Sequence, residues 1–142
     1  MTVIRQQDVT QSIADALQYI SYYHPVDFIQ AVKNAYDREE SKSAKDAMAQ
    51  ILINSRLCAM GKRPICQDTG IVTVFVKVGM QVQWDSSDSL TDMINEGVRQ
   101  AYTHPDNVLR ASILAEPDGE RNKTGDNSPA VSHYEVVPGE KV

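Results

Sequence analysis

Cys66-Gln67-Asp68-Thr69-Gly70 packs a thiol, an amide, a carboxylate and a hydroxyl into one turn. A cysteine thiolate is both nucleophile and metal ligand. Glutamine donates and accepts hydrogen bonds, which suits a carboxylate or hydroxyl substrate group. A positioned carboxylate such as Asp68 can handle protons or orient reacting groups. The cluster follows Arg63-Pro64-Ile65 and opens into the apolar run Ile71 to Val76, so it stands at the mouth of a strand. Plainer readings exist for each residue. Cys66 could be a simple buried or exposed thiol, and Asp68 could cap its own turn. Thr69 would then only support that turn, and Gly70 would permit close backbone approach.

Arg110 is the second chemical candidate, because a guanidinium fork binds a carboxylate through two parallel hydrogen bonds. Its apolar neighbours Leu109 and Ala111 set it in a partly buried stretch; the alternative is a surface arginine. The loop Thr124-Gly125-Asp126-Asn127-Ser128-Pro129 either lines a site or sets the strand after it. His24 and His104 each precede a proline at a helix end and read as structural, while His133 falls in a strand. Cys58 lies on the inner face of a helix and reads as a small buried residue. Zinc-type cysteine pairs, nucleotide-binding glycine loops and a serine-hydrolase elbow are all missing from the sequence.

Helical periodicity supplies the elements that must carry these groups. Val9, Ile13, Ala16, Leu17 and Ile20 predict a helix over about 7–23, capped by Asp8 and ended at His24-Pro25. Phe28, Ile29, Val32, Ala35 and Tyr36 predict a second helix with Asp27 as a cap, followed by the polar link Asp37 to Lys42. A third runs to a stop at Gly61 with Ala44, Ala47, Met48, Ile51, Leu52, Ser55 and Cys58 on one face. The β-branched run Ile71 to Val78 predicts a strand covered on both sides. The Asp85 to Ser89 turn starts a fourth helix through Leu90, Met93, Ile94, Val98 and Ala101, which ends before Pro105. Leu109 to Ala115 and Val131 to Val137 predict two further strands. The expected fold is mixed α/β, a helical front half (1–62) packed on a small sheet within 63–142, with four amphipathic helices in all. Pro138-Gly139 followed by Glu140-Lys141-Val142 reads as a hairpin cut at its return strand, hence as a piece of a larger catalytic domain.

Composition narrows the function classes. At 142 residues the chain is of single-domain length and can bury about 70% of its unfolded surface. A net charge of -5 argues against nucleic acid, which requires a basic footprint. It also means that an anionic substrate would need cations gathered locally, as at Arg110. No stretch approaches the roughly 20 apolar residues of a membrane span. No secretory signal pattern is visible, and two cysteines eight residues apart make no disulfide framework. A reduced, cytoplasmic setting is expected.

Pro64-Ile65-Cys66-Gln67-Asp68-Thr69-Gly70 resembles the first cluster-ligand motif of the class I, iron–sulfur fumarate hydratases. Asn107-Val108-Leu109-Arg110-Ala111-Ser112 and Asn122-Lys123-Thr124-Gly125-Asp126-Asn127-Ser128-Pro129-Ala130-Val131 continue the resemblance in order. Ser128 stands where threonine is more usual and keeps the hydroxyl. The related tartrate dehydratase alpha subunits share the CQDTG turn; the Asp-Asn-Ser-Pro stretch favours the fumarate hydratases. The resemblance implies a hydro-lyase of the tricarboxylic acid cycle, interconverting fumarate and malate with a [4Fe-4S] cluster as Lewis acid. It implies Cys66 as one cluster ligand, Gln67, Asp68 and Arg110 as substrate-binding, and Asp68 as catalytic. It also implies a homodimer whose site is completed by further sequence or a beta subunit. Cubane clusters take three or four cysteine thiolates. Only Cys66 lies in the motif, so this chain alone is expected to hold no cluster and to be inactive. A tartrate or other hydroxy-diacid dehydratase subunit is the nearest alternative. A non-catalytic assembly or binding module is the alternative of another class.

Overall fold

A computed structural model describes residues 2–66, 70–113 and 124–142. Elements follow in the order β1 (Val3–Arg5), α1 (Gln6–Tyr22), α2 (Val26–Arg38), α3 (Lys42–Gly61), β2 (Thr73–Gly79), β3 (Gln83–Asp85), α4 (Leu90–Tyr102) and β4 (Val131–Val137). The mixed α/β class and the four helices are as the sequence predicts. The strands form two parallel pairs, β1 with β3 and β2 with β4, in place of one small sheet. The chain divides into two compact units, Met1–Leu17 with Asp68–Val142, and Gln18–Gln67.

In the first unit, α4 supplies most of the core. Its apolar residues recur at helical spacing, and Met93, Ile94, Val98 and Ala101 are almost fully buried. Val98, Ala101 and Tyr102 cluster with Ala14 of α1, Val72 before β2, and Leu109; Ile13, Val74, Ala111 and Ala130 pack around them. The two helices meet at Gly97, where an added Cβ would lie 2.7 Å from the Cβ of Ile13 and the carbonyl oxygen of Thr10. Thr10 Oγ1 donates to the Met93 carbonyl at 3.3 Å across the same contact. Ser89 caps α4, its hydroxyl accepting from Asp92 N–H at 3.1 Å and donating to Asp92 Oδ2 at 2.6 Å. The first unit also holds the β2–β4 pair, with Phe75 opposite His133 and Lys77 opposite Glu135.

Several expectations need correction. Asp8 is not the cap of α1: it sits in the first turn, and its carboxylate accepts the Arg5 N–H at 3.0 Å, as a third helical residue does when it reaches back. Pro25, without a side-chain cap, precedes α2; Asp27 instead accepts from Phe28 N–H at 2.8 Å. Helix α3 ends at Gly61 as expected, but the left-handed cap is Lys62, at φ 47°. The outer face of β2 is open rather than covered, with Phe75 78% exposed. The alternate residues Val74, Val76 and Val78 are half-buried, and Val74 packs against the core built on α4. Residues 109–113 form no strand, and 114 and 115 lie outside the described residues. After β4 the chain turns onto the end of β2, where Gly79 N–H donates to the Lys141 carbonyl at 2.8 Å.

In the second unit α2 packs on α3. His24 places Nδ1 3.1 Å from Ser55 Oγ and stacks on Phe28 at 4.4 Å. That is the structural role expected for it.

Candidate functional site

The approach to Cys66 is pinned at three points within the second unit. Ile65 N–H donates to the Ser21 carbonyl at 2.8 Å, and Asn54 Nδ2 donates to the Ile65 carbonyl at 3.1 Å. The Cys58 thiol lies 3.5 Å from the Pro64 carbonyl and 3.6 Å from Asn54 Oδ1. Cys58 is thus a buried packing residue whose sulfur holds the Pro64 corner, as its place on α3 predicts. Cys66 follows directly, exposed and outside any disulfide. Gln67 and Asp68, the substrate-facing and catalytic candidates, lie outside the described residues, as does Thr69.

The motif resumes at Gly70, whose φ of +52° favours a residue without a side chain. Its carbonyl oxygen is the first of several groups gathered around Asn127. Asn127 Nδ2 donates to it at 3.1 Å. Asn127 Oδ1 accepts from the backbone N–H groups of Ser112 at 2.8 Å and Ile113 at 3.2 Å. The side chain of Asn127 also hydrogen-bonds the Tyr102 phenol. Burial pushes that phenol above its ordinary range, and this hydrogen bond draws it partway back. Asn127 is fully buried and sits at φ 60°, a left-handed position that asparagine tolerates better than most residues. One side chain therefore joins all three stretches that carry the sequence resemblance: the glycine closing the CQDTG turn, the segment after Arg110, and its own loop.

The same loop is tightened beside Asn127 by Asp126. Its Oδ1 accepts from Ser128 N–H at 3.0 Å and Ser128 Oγ at 2.7 Å. Burial raises the Asp126 carboxyl, but hydrogen bonds from Ser128, Thr124 and its own backbone outweigh it and hold the group below the usual carboxylate range. The Ser128–Pro129 bond is cis. Ala130 N–H then donates to Asn95 Oδ1 of α4 at 2.9 Å, which delivers the chain into β4.

Arg110 is exposed, between Leu109, which is buried, and Ala111, which packs at the edge of the core. The flanking residues anchor the backbone at this point. His104 accepts from Asp106 N–H through Nδ1 at 3.2 Å and shapes the turn after α4, a structural role. Sequence reasoning left the part played by Asn127 open. The signal available for it was an asparagine next to a turn-forming Gly-Asp pair, where a left-handed residue is common.

A cubane cluster asks for several soft ligands. Cys66 is exposed and of the residue type such a cluster takes, while Cys58 is buried and committed to Pro64 and Asn54. Among the described residues no group of three His, Cys, Asp or Glu side chains could hold a metal ion. No described helix is long and apolar enough to cross a membrane.

The sequence profile of the fumarate hydratase (Fumerase) family matches residues 10–142. A putative L(+)-tartrate dehydratase subunit alpha from Methanocaldococcus jannaschii is 28% identical over 126 residues, 87% of this chain and 44% of that protein. The anaerobic class I fumarate hydratase of Escherichia coli K12 is 32% identical over 106 residues, 75% of this chain and 19% of that enzyme. The L(+)-tartrate dehydratase subunit alpha of Escherichia coli UTI89 is 26% identical over 130 residues, 92% of this chain and 42% of the subunit. The chain spans less than half the length of these relatives, and fumarate and tartrate enzymes stand among them at similar identity. With its profile match running over nearly the whole length, the chain belongs to the fumarate hydratase (Fumerase) family.

Proposed function

We propose that this chain is the part of a hydro-lyase that supplies one cluster cysteine and a carboxylate-binding arginine, and that the complete enzyme interconverts fumarate and malate. The observation that carries the reading is the convergence of the CQDTG glycine, the Arg110 segment and the Asp126-Asn127 loop on one buried asparagine. Stretches far apart in sequence and rich in polar groups gain little from packing; a shared anchor suits a site that must hold its geometry.

Cys66 would ligate one iron of a [4Fe-4S] cluster. When bound, such a cluster supplies Lewis acidity toward a substrate oxygen. Arg110 takes a substrate carboxylate with its guanidinium fork, which offsets locally the net charge of -5. Gln67 hydrogen-bonds the substrate and Asp68 moves or orients its proton. The remaining cysteines come from sequence beyond these 142 residues or from a beta subunit, in keeping with relatives named as alpha subunits. A homo-oligomer of that assembly is part of the proposal.

The test is anaerobic reconstitution of the full-length parent with iron and sulfide, comparing wild type with Cys66→Ala. Loss of both cluster absorbance and fumarate hydration in the variant is expected. An intact cluster with unchanged turnover would make the turn structural and favour a binding or assembly module. The tartrate alpha relatives support a second reading, L-tartrate as substrate. Parallel assays with fumarate and L-tartrate decide between the two by kcat/KM.

A further inference from the structure

We infer that Asn127 is a positioning residue that sets the Arg110 segment and the end of the CQDTG turn in one register through its buried amide. The inference rests on the proposed role of Arg110 at a carboxylate. Asn127 touches no substrate in this account, and its two ends have separate tasks. Oδ1 takes the consecutive N–H groups of Ser112 and Ile113, two and three residues beyond Arg110. Nδ2 takes the carbonyl of Gly70.

The geometry excludes most substitutes. Two consecutive amides pointing at one acceptor cannot both be met by a strand neighbour, which takes alternate residues. The hydroxyl of Ser112 reaches the Gly70 carbonyl only at 3.4 Å, so it adds little to the link. Ser112 N–H, Ile113 N–H and the Gly70 carbonyl all depend on a side chain rather than on secondary structure. Removing that side chain unpins two segments at once. A misplacement of about 1 Å at a binding group can lower turnover by about 100-fold.

Two variants separate the two ends. Asn127→Gly keeps the left-handed backbone and removes the whole amide. In the full-length enzyme it should raise KM for the dicarboxylate by about tenfold or more and also lower kcat. Asn127→Asp keeps an acceptor for Ser112 and Ile113 but loses the donor to Gly70. It should leave KM within about threefold of wild type while kcat falls. A purely architectural role would lower the melting temperature of both variants and leave KM alone in assays run well below melting. KM unchanged in folded Asn127→Gly overturns the inference.

Hydrogen exchange keeps the question answerable without either variant and without turnover. In the wild-type full-length protein the Ser112 and Ile113 amides should exchange slowly although they lie outside any strand. Exchange at the rate of an unstructured peptide overturns the inference as well. Should wild type turn over neither fumarate nor tartrate, the proposed function fails, and the exchange rates still decide whether Asn127 holds these segments.

Discussion

Asp126 accepts hydrogen bonds from Ser128 N–H and Ser128 Oγ, and these bonds favour its ionised form. Its carboxyl is held below the usual range despite the opposing effect of burial. A group whose folded value is depressed contributes stability above its unfolded pKa, and that contribution is lost as pH falls through the folded value. The loss should therefore begin below about pH 4, where an unfolded aspartate titrates. The same sign applies to Glu96, held low chiefly by the hydrogen bond from Arg99. Asp126→Asn should lower stability near neutral pH and flatten the acid limb of the stability curve. Urea melts at several pH values check both effects. An acid limb as steep as that of wild type would place the acid sensitivity elsewhere.

At the scale of elements, Gly97 decides how closely α4 and α1 can approach. Two effects oppose each other in Gly97→Ala. Alanine improves helix propensity by about 1 kcal/mol. The new methyl would lie 2.7 Å from the Ile13 side chain and the Thr10 carbonyl oxygen, and the second of these is backbone that cannot swing aside. Overpacking of a close contact costs about 1–3 kcal/mol, so the net change should be destabilising. Thermal melting of Gly97→Ala checks this; a raised melting temperature would mean that the helices part without loss. The helices themselves were legible from the period of their apolar residues, because that period survives in any packing arrangement. The three-residue strands β1 and β3 were not, since Val3–Arg5 and Gln83–Asp85 are too short to show alternation. Residues 109–113 misled in the other direction. Leu109 and Ala111 do alternate inward, but the amides that a neighbouring strand would engage are taken by Asn127 Oδ1 instead.

For the whole molecule, the ligand count governs what the chain can do by itself. In the proposed reading Cys66 supplies one cluster ligand, and the described residues hold no metal-binding group of three. The 142-residue chain incubated anaerobically with iron and sulfide should gain no stoichiometric cubane and no fumarate hydratase activity. Iron and sulfide analysis per chain, with an activity assay, tests this. Turnover by the chain alone would show that it carries a complete site.

The sequence by itself determined the mixed α/β class, the helices, the identity of Cys66, Gln67, Asp68 and Arg110 as candidates, and the family through its ordered motifs. Those properties are local: a periodic apolar face or a run of chemical side chains is readable without knowing its neighbours. Only the tertiary structure decided that Gly70, Ser112, Ile113 and Tyr102 share one buried asparagine. Hydrogen bonds spanning as many as 57 residues leave no periodic trace in the chain. A polar side chain in a loop reads the same whether solvent or protein surrounds it. Burial separates those cases, since an interior amide must find its partners or lose the free energy of its hydration.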